Sequence, residues 1–228
     1  MIPKTVVVTT EVLNMEKSEI QGFSLSDKIC AVIGLGGLGT NVAVHLAGAG
    51  VGKLYLCDFD TVSESNLNRQ FMYTACDVGE LKCEALKERL SAYADDASYE
   101  AIKEKITDYS QIEKLRNCDI IFSCVDNNEA RLILEDYCKE NNIPLVHGGI
   151  DGFYGVAYLY VPSQSLSPSQ AGLCEGGKAK YNISAVAGEI GSLQSSLGIK
   201  YLLTADNSLS GRILIFDENK TDTLNLNF

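Results

Sequence analysis

The chain has 228 residues, 46% of them apolar, and a formal net charge of −11 at pH 7. A chain of that length can bury one core without disulfides, so a single unit over 1–228 is expected: an N-terminal segment 1–27, a core 28–150 and a closing part 151–228. The acidic balance excludes general binding to nucleic-acid backbones, which requires clustered Lys and Arg. Apolar stretches such as 28–38 are broken by glycine well short of a membrane span and no signal pattern follows Met1, so the chain reads as soluble and cytoplasmic with no membrane partner.

Hydrophobic periodicity predicts a buried strand over 28–33, a helix over 38–49 and a strand over 53–57, which together make one βαβ unit. A helix over 82–92, a strand over 99–105, a short helix over 109–115 and a strand over 119–124 follow. Then come a helix over 129–140 and a strand over 144–147. Strands alternating with helices imply a parallel sheet covered on both faces, with right-handed crossovers that make it doubly wound. After Gly148 the aromatic and β-branched run 152–161 follows too closely for a crossover, so it must pair antiparallel. The Ser-, Pro- and Gly-rich stretch 163–177 reads as an exposed and mobile loop. A helix over 185–203 and strands over 212–217 and 223–227 close the chain. The fold class expected is α/β: a doubly wound, mostly parallel, Rossmann-like sheet with an antiparallel C-terminal extension.

Eight cysteines are present, several inside apolar strand-like runs, and none stands in C-x-x-C spacing. They read as buried thiols rather than a disulfide framework, and structural zinc is not expected.

Between the first strand and first helix stands Gly34-Leu35-Gly36-Gly37-Leu38-Gly39, with Asp58 at the end of the next strand. Glycines at this spacing let the backbone turn tightly against a phosphate-bearing ligand, the helix N-terminus favours anions, and an acid at Asp58 can accept from ribose hydroxyls. These features identify a nucleotide and fit a nicotinamide dehydrogenase equally well. What separates the readings is the supply of fixed charge. A triphosphate under attack needs cations for the departing pyrophosphate and a carboxylate to hold magnesium. Arg69 and Lys82 can be the cations and Asp126 the carboxylate, each at or just beyond the carboxyl end of a strand. The structural alternatives are surface cations and, for Asp126, a helix N-cap.

In order, the runs GLGGLG at 34–39, LAGAGVG at 46–52, DFDTVSESNLNRQ at 58–70, GELK at 79–82 and CVDNNEAR at 124–131 resemble the ThiF/MoeB/HesA family. The resemblance is to MoeB-like members and resumes in GEIGSLQSSLGIKYL at 188–202. It implies an ATP- and Mg²⁺-dependent adenylyltransferase that activates the terminal carboxylate of a ubiquitin-like carrier protein ending in Gly-Gly, working as a homodimer. Residue by residue it implies that Gly34, Gly36, Gly37 and Gly39 form the nucleotide turn, with Gly36 and Gly39 approaching the ligand. Asp58 and Asp60 would lie at the nucleotide, with Asp58 on the ribose, and Asn66, Arg69, Gln70 and Lys82 around the phosphates. Asp126 would position magnesium.

The chain departs from the family pattern in two places. Many members carry zinc-binding C-x-x-C pairs, absent here, and many contribute an N-terminal arginine to the partner's site. No arginine precedes Arg69, and Lys17 is the available substitute, without arginine's fork. Cys174, in Leu173-Cys174-Glu175-Gly176-Gly177, resembles the cysteine that in some members links covalently to the carrier, and an exposed loop suits a reactive thiol. His45 and His147 read as structural histidines. Three alternatives stay open: a nicotinamide-dependent oxidoreductase, adenylation of a carboxylate on modified tRNA, and a degenerate subunit that binds a carrier without turnover.

Overall fold

The computed structural model describes residues 24–175, 181–217 and 220–225. Among them the strands are β1 Ile29–Ile33, β2 Lys53–Cys57, β3 Ser98–Ile102, β4 Ile120–Ser123, β5 Leu145–Asp151, β6 Tyr154–Tyr160, β7 Arg212–Asp217 and β8 Lys220–Asn225. The α-helices are α1 Gly37–Gly48, α2 Lys82–Tyr93, α3 Asn128–Asn141 and α4 Ser184–Thr204. The strands form one sheet in the order β3-β2-β1-β4-β5-β6-β7-β8. β3 to β5 run parallel, and β6, β7 and β8 are each antiparallel to the strand before them.

The inner strands are apolar throughout because both faces of the sheet are covered. Along β1, Cys30 and Val32 enter one core, beneath α1, α2 and α4, while Ala31 and Ile33 enter the other, beneath α3 and the turns at 109–117. The expected short helix at 109–115 is two 3₁₀ turns, Tyr109–Gln111 and Glu113–Asn117. From β1 the chain winds outward through β2 and β3, then returns to place β4 on β1's other side. This reversal opens a crevice beyond the carboxyl ends of β1 and β4, where ligands of such sheets bind.

The expected antiparallel turn is present. Asp151 pairs with Tyr154, leaving a two-residue connection whose first position, Gly152, has φ +60°, a value that favours glycine in hairpins of this length.

Three elements differ from the sequence reading. β5 does not stop at His147 but continues through Gly148 and Gly149 to Asp151. Gly148, the first of the glycine pair read as a break, is where α4 presses on the sheet: a Cβ on it would lie 2.3 Å from the Gln194 amide carbon. Gln194 is fully buried there, its Nε2 donating to the carbonyls of Ser123 at 3.2 Å and Val146 at 3.4 Å. β3 ends at Ile102 because its partner β2 ends at Cys57, which frees Glu104 and Lys105 to turn into the crevice. The last strand pairs with β7 from Lys220, and residues 226 and 227 of the expected strand lie outside the described residues.

The stretch 163–175 is only partly exposed: Ser163, Gln164, Gln170, Gly172 and Glu175 face solvent while other residues pack inward. Ser165, Ser167 and Cys174 are buried, and the Tyr158 hydroxyl donates to the Leu166 carbonyl at 2.7 Å. Glu135, a buried carboxylate on α3, accepts from the Ser169 amide at 2.8 Å and its hydroxyl at 2.5 Å. A buried charge needs such donors, and this polar loop supplies them. Gly176, Gly177 and Lys17 lie outside the described residues.

Candidate nucleotide site

A cavity of about 550 Å³ opens at the crevice between β1 and β4 and extends along the carboxyl edge of the sheet to the β5–β6 hairpin. Gly34, Gly36 and Gly37 form part of its wall, bringing the N-terminus of α1 onto the cavity. The first turn of a helix presents amide N–H groups that lack intrahelical acceptors and favours anions.

The expectation for Gly39 is corrected, because it does not line the cavity. It is buried, and a Cβ there would stand 1.8 Å from the Gly34 carbonyl oxygen. The third glycine serves the packing of helix against strand, leaving the approach to a ligand to Gly36 and Gly37.

Asp58 lines the cavity at the end of β2, with one carboxylate oxygen accepting from the Leu35 amide at 2.7 Å and the other from the Asp60 amide at 2.8 Å. It therefore organises the glycine turn from across the crevice, and a carboxylate retains lone pairs for further donors. Burial pushes its pKa above the ordinary aspartate value, opposed by nearby Lys82 and the two amides.

Asn66, Arg69 and Gln70 come from the turn after β2. The Asn66 side chain accepts from the Ser63 amide at 3.2 Å, fixing the turn. Arg69 is held by the Ser65 carbonyl at 3.1 Å and Asn68 Oδ1 at 2.9 Å, and among the described residues no carboxylate lies within 4 Å of it. Its Cγ is 3.8 Å from where a Cβ on Gly37 would be, beside the start of α1. Gln70 is buried, and its amide oxygen has no hydrogen-bond partner. All three line the cavity.

Lys82 is the first residue of α2, where a cation opposes the helix dipole, so local helix stability does not explain it. Its side chain is buried on the cavity wall, paired with Asp60 at 3.2 Å. Asp126 follows β4 on the same wall. The N-cap of α3 is Asn127, whose side chain accepts from the Ala130 amide at 2.9 Å, so capping does not account for Asp126. Arg69, Lys82 and Asp126, from three separate segments, thus meet around one cavity at the glycine turn.

The exposure expected for Cys174 is corrected as well. Its thiol is buried against Glu135 at 3.9 Å, and burial together with that carboxylate pushes its pKa up to about 11. His45, exposed on α1, shares a hydrogen bond with Ser192 at 3.1 Å, whereas His147 is fully buried with Nε2 unpartnered. The sequence reading gave no role to Arg131, which lines the far half of the cavity. Its signal was its place five residues beyond Asp126, at the end of CVDNNEAR.

The donor set suits a magnesium nucleotide. Among the described residues no three His, Cys, Asp or Glu side chains gather to hold a metal alone. Magnesium bound with a polyphosphate needs only one or two carboxylates, because phosphate and water supply the rest, and Asp126 is placed for that. The buried, unpartnered Gln70 oxygen and the side-chain-free wall at Gly36 and Gly37 leave room and a polar group for the ligand.

The ThiF family model matches residues 18–228. The SAMP-activating enzyme E1 of Haloferax volcanii is 33% identical over 205 residues, covering 87% of this chain and 76% of the relative. The sulfur carrier protein ThiS adenylyltransferase of Escherichia coli K12 is 32% identical over 199 residues, covering 85% and 79%. Escherichia coli MccB, solved with ATP, shares the fold with a TM-score of 0.77 at 24% identity, over 88% of this chain and 64% of that one. With the model matched along most of its length and the ordered motifs placed around one cavity, this chain belongs to the ThiF family.

Proposed function

We propose that this enzyme uses ATP to adenylate the C-terminal carboxylate of a small ubiquitin-like carrier protein, giving an acyl-adenylate and pyrophosphate. The observation that carries the reading is the shared cavity of Arg69, Lys82 and Asp126 at the N-terminus of α1. A nicotinamide site would leave those charges without work. The names of the relatives supply the class of acceptor.

The terminal carboxylate is already ionised at neutral pH, so no side-chain nucleophile is required. One of its oxygens forms a bond to the α-phosphorus, the bond from that phosphorus to the bridging oxygen breaks, and pyrophosphate leaves with the electron pair. The chain's task is placement and charge stabilisation. Gly36 and Gly37 let the phosphates approach the helix N-terminus, Asp58 accepts from the ribose, and Arg69 and Lys82 neutralise the charge of the departing group. Magnesium held at Asp126 would offset phosphate charge. We extend the proposal to a homodimer, as the resemblance implies, and to a cytoplasmic setting with a carrier ending in Gly-Gly.

The test is ATP–pyrophosphate exchange dependent on a small Gly-Gly-terminated protein that co-purifies with the enzyme. Arg69→Ala and Asp126→Ala are each expected to abolish it, and exchange retained in both refutes the assignment. Binding of NAD in preference to ATP would instead favour the oxidoreductase.

A further inference from the structure

Tyr73 follows the turn that carries Asn66, Arg69 and Gln70, and its amide closes onto the Gln70 carbonyl at 3.0 Å. Its ring is buried, 4% exposed, in the core beneath α1, α2 and α4, and it does not line the cavity. Its hydroxyl donates to the Leu35 carbonyl at 2.9 Å, inside the glycine turn, with the Lys82 carbonyl a second acceptor at 3.4 Å. Packing does not call for that hydroxyl, because phenylalanine would fill the same space without taking a polar group out of water. Burial, with the charge of Asp58 next, pushes the phenol pKa well above its ordinary value, so the hydroxyl keeps its proton and donates.

That contact decides how one peptide group is turned. The Gly34 amide is held by the Cys57 carbonyl at 2.8 Å and the Leu35 amide by the Asp58 carboxylate at 2.7 Å. The Gly36 carbonyl accepts from the Thr40 amide at 3.1 Å and its hydroxyl at 2.8 Å. Among the described residues the Gly36 N–H meets no acceptor. In a trans peptide the carbonyl of one residue and the N–H of the next point in opposite directions, and the Leu35–Gly36 peptide is trans. Tyr73 draws the Leu35 carbonyl to the core side, so the Gly36 N–H turns the other way, to the side on which Gly36 forms the cavity wall.

Resting on the adenylation reading, we infer that Tyr73 is a positioning residue for the triphosphate: its hydroxyl keeps the Leu35–Gly36 peptide with its N–H, and not its carbonyl, toward the phosphates. Gly36 has φ −84°, and a flip of this peptide would carry it to positive φ, which glycine tolerates about as readily. The flipped form sets a carbonyl dipole against the phosphates. The glycine that lets phosphate approach therefore needs an outside hold on its orientation, and Tyr73 supplies it from the segment that also bears Arg69.

The test is calorimetric titration of the full chain with a non-hydrolysable ATP analogue and with adenosine, which has no phosphate. Tyr73→Phe keeps the ring and removes only the hydroxyl. It should weaken binding of the analogue by about tenfold, the scale of a hydrogen bond to a charged group, and leave the affinity for adenosine within about twofold of the parent. Ile112→Val, a truncation in the opposite core, should lower the urea midpoint and leave both affinities unchanged. A Tyr73→Phe chain that keeps the parent's ratio of the two affinities, whether or not both fall, overturns the inference, because the hydroxyl then serves packing alone. A second reading needs no variant: in NMR spectra of the parent, the Gly36 amide proton should move downfield on adding the analogue and not on adding adenosine. A Gly36 amide that the analogue leaves unmoved also overturns the inference. A parent that binds the analogue no better than adenosine defeats the adenylation reading itself, and the inference with it.

Discussion

The ammonium of Lys82 lies 3.2 Å from the carboxylate of Asp60, yet the two partners differ in environment: the lysine side chain is 8% exposed and the aspartate 52%. Removing the lysine therefore leaves behind a solvated carboxylate rather than a buried one, and the stability cost stays within about 1 kcal/mol. The effect on phosphate charge is larger. Lys82→Met should lower acceptor-dependent pyrophosphate exchange by roughly 10²–10³-fold, the scale of one lost electrostatic donor. Exchange kinetics set beside urea unfolding separate the two effects, and unchanged exchange would remove Lys82 from the site.

Burial, with the Glu135 carboxylate as a second cause, determines how Cys174 reacts. With the thiol pKa near 11, roughly one thiol in a thousand is ionised at pH 8. Iodoacetamide followed by peptide mass mapping should label the exposed Cys76 well before Cys174. Glu135→Gln removes the negative charge that raises the thiol pKa and weakens the hold on Ser169, so Cys174 labelling should speed up by about tenfold or more. Equal labelling of both cysteines in the parent would contradict the packed loop. A carrier adduct on Cys174 would require this loop to lift.

His147 gives the protein a specific acid sensitivity. Its folded pKa, about 3, lies below the ordinary value of 6.5, so the native state resists protonation and the unfolded chain does not. The associated stability is fully present above pH 6.5 and is lost progressively as pH falls toward 3. Between pH 7 and pH 5 the loss is about 2 kcal/mol. Urea midpoints at the two pH values should show that difference in the parent, and His147→Gln should shrink it by about that amount. An unchanged pH dependence would mean that the imidazole titrates in the native state as it does in the unfolded chain.

The contact of Gly148 with Gln194 predicts a large response to a small change. Gly148→Ala drives a methyl into a buried amide that bridges β4 and β5. Overpacking plus the loss of those hydrogen bonds should cost about 2–4 kcal/mol, or roughly 5–15 °C in Tm. Adding Gln194→Ala should recover part of the loss, because it removes the obstructing side chain. A Gly148→Ala chain as stable as the parent would show that α4 can withdraw freely.

Much of the architecture was legible because its signals are local. Uninterrupted apolar runs such as Ile29–Ile33 mark strands buried on both faces, and the short connection at Gly152 forced antiparallel pairing. The glycine turn, Asp58, Arg69, Lys82 and Asp126 were legible as residue types in an ordered pattern. Less legible were features whose cause lies far along the chain. Gly148 and Gly149 read as a break because the packing partner of Gly148, Gln194, comes from a helix nearly fifty residues later. The polar loop at 163–175 read as solvent-exposed because nothing local announces Glu135 as its buried anchor.

The sequence by itself determined the strand and helix periods, the backbone turn that a phosphate can approach, and the types of charge available to it, since each depends on neighbours within a few residues. Only the tertiary structure decided that Gly39 packs while Gly36 faces the cavity, that Asn127 caps the helix while Asp126 lines the site, and that the Tyr73 hydroxyl meets the Leu35 carbonyl. The crossovers bring the carboxyl ends of separate strands to one edge, and the burial of each polar group there depends on partners that the chain's linear order does not place beside it.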